Sequence, residues 1–338
     1  MNERILIPVD DQPCSYAALA SLRARRWIRG TEFLLLKVVE SYRDILGSAA
    51  DEHVEALEIE QRDYAHQMGR WLDEMTENFG PNWPDVESLL EYGVVPDKIA
   101  KVAFGWQANH IMIGSHDLDL ATRFALGSTA SSVAGASPCS LEVIRSRPLK
   151  ELLQEEGEIT AEDYHQLAVP PRRILVATDL SSASRASINW IGSCEWAPVT
   201  LFRVVTVAVP EHKDQSLADA FCGINKALVS ERRHRELVRS GLKEESEQIA
   251  RLLSDSRVEF KVLQDDDPAG AIITVADDWD AQLIIMGMRG AETEAAPGAG
   301  PTAMSVLERA HCSVALIQND STPPASYSWR RPMLITGH

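Results

Sequence analysis

The chain has 338 residues, enough for two domains of about 150 residues each. With 45% hydrophobic, 25% charged and 6% aromatic residues, its composition is that of a folded protein and excludes a disordered or fibrous one. Its 33 Lys and Arg against 50 Asp and Glu give a net charge of −17, which repels polyanions and leaves no basic footprint for nucleic acid or anionic lipid.

In chain order, the apolar run Ile5 to Val9 reads as a first strand closed by Asp10, cut by Pro8 too short for the core of a signal peptide. Further strands are expected at Phe33–Val39, Glu87–Glu91, His110–Ile113 and Leu141–Ile144. Between the second and third, Val54, Leu57, Tyr64, Met68, Trp71, Leu72, Met75 and Phe79 recur at helical spacing and predict a long helix with that face in the core. The charged stretch Arg147 to Arg172 ends in Pro170-Pro171 and reads as a linker, with a short helix over Thr160 to Leu167.

After the linker the pattern starts again. Strands are expected at Ile174–Thr178, Thr200–Val207, Glu259–Leu263, Leu283–Met286 and Val314–Ile317, with Val238, Leu242, Ile249 and Leu252 marking a second long helix. The segment Arg4-Ile-Leu-Ile-Pro-Val-Asp10 returns 169 residues on as Arg173-Ile-Leu-Val-Ala-Thr-Asp179. Gly114, Gly127 and Cys139 return 173 residues on as Gly287, Gly300 and Cys312. The expected organisation is a domain over 1–146, a linker over 147–171, a second copy over 172–318 and a loosely held tail over 319–338.

Short strands alternating with helices predict an α/β fold of two repeated doubly wound domains. Each is a five-stranded parallel sheet in the order 3-2-1-4-5 with helices on both faces. The strands that follow Cys139 and Cys312 would lie at sheet edges. Exposed edges invite pairing, so these two are expected to join the copies into an intramolecular pseudo-dimer, with a further homodimer left open. Cys14, Cys139, Cys194, Cys222 and Cys312 include no CxxC pair and read as reduced packing residues. His53, His66 and His234 sit on charged helical patterns and read as solvated. No stretch approaches the roughly 18 apolar residues of a membrane helix, and a cytoplasmic protein is expected.

In such a sheet, ligands lie beyond the carboxyl ends of the strands where strand order reverses, here between strands one and four. The turns beginning at Asp10 and Gly114 should therefore face one another, as should those at Asp179 and Gly287. Ser128 or Thr129 is placed to cap the helix after Gly127, whose unpaired N–H groups attract phosphate. Asp10 reads either as a helix cap or as an acceptor for a nucleoside.

These residues resemble the universal stress protein family, in the form of a tandem member with two such domains. The nucleotide-binding members of that family carry glycine, two residues, glycine, nine residues, glycine and serine, with an aspartate after strand one and a valine after strand two. The resemblance implies binding of ATP or another adenine nucleotide, with or without Mg2+, and a regulatory role through protein partners. Carried over, it assigns Pro8, Asp10, Val38, Gly114, His116, Gly127, Ser128 and Thr129 in the first copy, where Asp117 replaces the second glycine. In the second copy it assigns Asp179, Val204, Gly287, Arg289, Gly290 and Gly300, with Pro301 in place of the serine and Thr302 beside it.

A lost hydrogen bond to a charged ligand costs about 1.5 to 3 kcal/mol, and a carboxylate near a phosphate about 3 kcal/mol at an effective dielectric near 20. A divalent cation bridging Asp117 to phosphate would offset the first defect, whereas proline removes a donor outright. The first copy is therefore the better nucleotide site. The competing reading is a tandem scaffold with degenerate sites. No GxxxxGK[ST], HExxH or GxSxG occurs, so no catalytic residue and no metal ligand is assigned, and slow ATP hydrolysis is the most enzymatic outcome expected.

Overall fold

The computed structural model describes residues 3–40, 54–77, 79, 83, 86–115, 126–145, 169–208, 236, 239–252, 258–289 and 298–319. The first half runs β1 (Arg4–Pro8), α1 (Pro13–Arg23), β2 (Arg26–Trp27), β3 (Glu32–Val39), α2 (Val54–Glu77), β4 (Val86–Tyr92), α3 (Val95–Trp106), β5 (His110–Ser115), α4 (Ser128–Ala136) and β6 (Ser140–Arg145). The second half repeats this order with β7 (Arg173–Ala177), α5 (Ser182–Ile191), β8 (Cys194–Glu195), β9 (Leu201–Ala208), a helical run α6 over 239–252, β10 (Val258–Gln264), α7 (Pro268–Asp278), β11 (Leu283–Gly287), α8 (Pro301–Arg309) and β12 (Ser313–Ile317).

All ten long strands form one sheet, ordered β10-β9-β7-β11-β12-β6-β5-β1-β3-β4. Each half thus has the expected 3-2-1-4-5 order, and within each half every pairing is parallel. The period-2 alternation of strand side chains sends Leu6, Leu34, Leu36 and Ile111 to one face and Ile5, Ile7, Phe33 and Leu35 to the other. Both faces are covered by helices, which explains why the central strands are apolar almost throughout.

The halves meet where β6 pairs antiparallel with β12, with Glu142 opposite Ala315. This is the edge-to-edge union expected from the sequence. Flanking it, the Arg145 N–H donates to Ser313 Oγ (3.2 Å) and the Gln318 N–H to Ser140 Oγ (3.0 Å), one bond from each half. A second, unforeseen junction pairs β2 with β8. On the α3, α4, α7 and α8 side a single apolar core runs through the seam, from Ile99 and Val133 to Val306 and Ile272.

On the opposite side two separate clusters, each touching Trp27, flank a buried charged group. Both Arg25 Nη atoms donate to the two Glu142 carboxylate oxygens, Nη1 at 2.7 Å from Oε2. His110 Nε2 lies 3.5 Å from the same Oε2, and its ring stacks on Trp190 of the second half at 5.1 Å. Burial alone would raise the Glu142 pKa, but the charge and hydrogen bonds of Arg25, with a smaller contribution from His110, bring it down to about 2. The same places in the second half hold Cys194, Ala315 and Leu283.

Several expectations need correction. Tyr64 is 40% exposed and Leu252 45%, because α2 and α6 bury narrower stripes than the sequence period suggests. The α2 stripe is Ala65, Met68, Leu72 and Met75. Cys14, Cys139, Cys194 and Cys312 are free and buried, as packing residues should be. His66 is exposed. His53, His234, Val238, Cys222, the linker helix over Thr160 to Leu167 and the tail from 320 lie outside the described residues. Among the described residues no helix is long and apolar enough to cross a membrane.

Candidate functional site

Where strand order reverses in the first half, the turn after β1 and the end of β5 come together. The fit is tight. A Cβ on Gly114 would lie 2.0 Å from the Cys14 carbonyl oxygen, so only glycine lets the start of α1 pass over the end of β5. The Asp10 carboxylate accepts from the Gln12 N–H (3.1 Å) and the Ser15 hydroxyl (2.5 Å) through Oδ1. It therefore shapes the turn into α1, and among the described residues Oδ2 accepts no hydrogen bond.

The result is a cleft of about 580 Å³ lined by Pro8, Asp10, Val38, Gly114, Gly127, Ser128 and Thr129, seven of the eight residues assigned there. His116, together with Asp117, lies outside the described residues. The expected cap on α4 is absent. Gly127 itself is the N-cap, with φ −56° and ψ 145°, and no side chain bonds the first N–H groups. Ser128 and Thr129 are instead the first two helical residues, so the helix starts one position earlier than the Gly-Ser-Thr sequence suggests. A Cβ on Gly127 would meet nothing within 4 Å. The positive end of α4 thus opens into the cleft. The Ser115 hydroxyl sits beneath it, 3.5 Å from the Gly127 nitrogen, and accepts from Arg145 Nη1 at 3.3 Å.

The cleft also holds Lys37 and Gln61, which sequence reasoning did not single out, and Tyr64, which it expected in the core, all from the β3 and α2 side. Cys14 lines it too. Burial, reinforced by the neighbouring Asp10 charge, pushes this thiol up to about 12, which leaves it protonated and unsuited to nucleophilic attack.

The second half builds a cleft of about 570 Å³ in the same place, lined by Asp179, Gly287, Arg289, Gly300, Pro301 and Thr302. Gly290 lies outside the described residues. Val204 does not belong to it. β9 pairs Ala177 with Val205 as β3 pairs Pro8 with Leu36, so the residue in register with Val38 is Val207, which lines the cleft. Val204 is fully buried on the opposite face with Ile174 and Trp190. Arg289 is turned back, its Nε donating to the Gly298 carbonyl (2.9 Å). Pro301 occupies the first position of α8, where its fixed φ suits the helix but its missing N–H removes a donor.

A duplicated doubly wound domain, with a cleft at each point of strand-order reversal and a helix N-terminus in the wall, defines a class of tandem α/β proteins. The chain belongs to the universal stress protein family, whose model matches residues 1–145 and 170–318. Among solved structures it is similar to a universal stress protein from Archaeoglobus fulgidus, at 17% identity over 93% of this chain and 96% of that one, with a TM-score of 0.53. It is also similar to a functionally unknown protein from Pseudomonas aeruginosa, at 13% identity over 94% and 93% of the two chains, with a TM-score of 0.52. These likenesses speak for the fold.

Proposed function

We propose that the chain binds an adenine nucleotide in the cleft of its first half and acts as a stress-responsive regulator through protein partners. The observation that supports this reading is the convergence of the Asp10 turn, the end of β3 at Val38 and the uncapped start of α4 on one cavity. Phosphate accepts from the free N–H groups at Ser128 and Thr129, each charge-assisted bond contributing about 1.5 to 3 kcal/mol, and the helix end adds about 0.3 to 1 kcal/mol. Ribose hydroxyls donate to the unused oxygen of Asp10, and the base lies against Val38 and Ile99. The second cleft, short of one N–H at Pro301, binds more weakly, and its half serves chiefly to cover the β6 edge. With Cys14 protonated, the reading is one of binding.

Isothermal titration of the full chain with ATP and Mg2+ tests this, with saturable heat expected at submillimolar nucleotide. Gly127→Glu has an allowed backbone and open space around it, so it should fold normally while placing a carboxylate where phosphate would sit. Loss of the heat in that variant is the expected result. A wild-type chain that gives no heat, or a Gly127→Glu chain that binds as well, would overturn the proposal.

A further inference from the structure

Building on that reading, we infer that the first cleft contains a second, cationic subsite, Lys37 beside Tyr64, and that its ligand is a nucleoside carrying phosphate at two positions. Lys37 lines the cleft yet is only 4% exposed. Its ammonium lies 5.7 Å from the centre of the Tyr64 ring, and among the described residues no carboxylate comes within ion-pair distance of it. With its stem buried and no counter-ion among the described residues, the ammonium faces the cleft for its partners, and a ring face supplies only part of what an anion would. An anion from the ligand completes the arrangement.

The position is peculiar to the first half. Thr206 stands at the register of Lys37 in β9. The buried stripe Leu242, Glu245, Ile249 repeats the spacing of Ala65, Met68, Leu72, which puts Gly241 in the place of Tyr64. There Leu180, held at φ 62°, packs against Gly241, where even a Cβ would come within 2.9 Å of its Cδ1. Among the described residues none from α6 lines the second cleft, whereas Glu60, Gln61 and Tyr64 of α2 line the first. Among the described residues, the place that Tyr64 and Lys37 hold in the first half is taken in the second by Leu180 packed on Gly241, with Thr206 beneath.

Geometry sets the ligand class. Lys37 and the Gly114 turn flank β1 on either side, so their backbones are about two strand spacings, roughly 10 Å, apart. Strand alternation places Lys37 on the α2 side of the sheet and Val38 on the α3 side. One anion therefore sits at the start of α4 and the second across β1, toward α2. The acidic residues on the rim, Asp11, Glu40 and Glu60, are exposed and their charges are screened by water, while Lys37 acts from the less polar interior.

AMP and adenosine 3′,5′-bisphosphate differ by the one group in question, and titration of the full chain with each is the test. The wild-type chain should bind the bisphosphate at least about tenfold more tightly, the effect of one charge-assisted contact. Lys37→Met should abolish that preference, and Lys37→Arg should retain most of it. Equal affinities in the wild-type chain, or a preference that survives in Lys37→Met, would overturn the subsite and leave the nucleotide reading standing. Failure of both nucleotides to bind would overturn both.

Discussion

The two halves share a backbone plan but have divided its chemistry unequally. In the first, ionisable side chains lie inside: Arg25, Glu142 and His110 at the seam and Lys37 in the cleft. In the second, the matching positions are Cys194, Ala315, Leu283 and Thr206, and among the described residues its own buried ionisable group is Glu245 on α6, where the first half has Met68. The fold therefore tolerates either solution at each place.

The largest test of this contrast is at the seam. Arg25→Met leaves Glu142 buried without its cation and should cost about 3 to 5 kcal/mol in urea unfolding, whereas Cys194→Ser, at the equivalent place, should cost far less. Because Glu142 titrates well below the ordinary carboxylate range when folded, its contribution is fully present above about pH 4.5 and is lost as pH falls toward 2. Glu142→Gln should be less stable at pH 7 and flatter across that acid limb. If wild type and variant lose stability in parallel, the seam charge is not the cause.

Next come the two glycines of the first cleft. Gly114→Ala drives a Cβ into the Cys14 carbonyl and should destabilise by about 1 to 3 kcal/mol, while Gly127→Ala should change thermal stability by less than about 0.5 kcal/mol. A smaller effect of opposite sign is expected at Glu245. Burial raises its pKa, so its ionisation opposes folding as pH rises above the ordinary glutamate value, and Glu245→Met should gain stability over wild type in urea unfolding as the pH is raised from about 4 to about 7. A destabilised Glu245→Met would show that this carboxyl is well satisfied where it lies.

The repeat made the architecture legible. Two matching landmarks, Asp10 with Asp179 and Gly114 with Gly287, fixed which strands correspond and where the clefts open. What escaped has physical reasons. β2 and β8 are two residues each, too short to carry a period. Glu142, between Leu141 and Val143, reads as a solvent-facing strand residue, and only the partner edge buries it. Lys37, between Leu36 and Val38, misleads in the same way because α2 covers that face. Val204 was the wrong valine because β9 carries valine on both faces, Val204 on one and Val205 and Val207 on the other; the 169-residue spacing from Val38 leads to Val207. The α4 cap was misjudged because a glycine can end a helix's approach as well as a hydroxyl can.

The antiparallel union of β6 with β12 has a consequence for how the molecule behaves in a dilute cell. Both strands belong to one polypeptide, so their encounter is unimolecular, and the ten-stranded assembly forms to the same extent at nanomolar as at millimolar protein. A two-chain version would come apart on dilution and report its own abundance. This chain has given up that sensitivity: its inner edges are permanently occupied, and further growth is confined to the outer strands β4 and β10, where Glu87, Glu91, Glu259 and Lys261 discourage it.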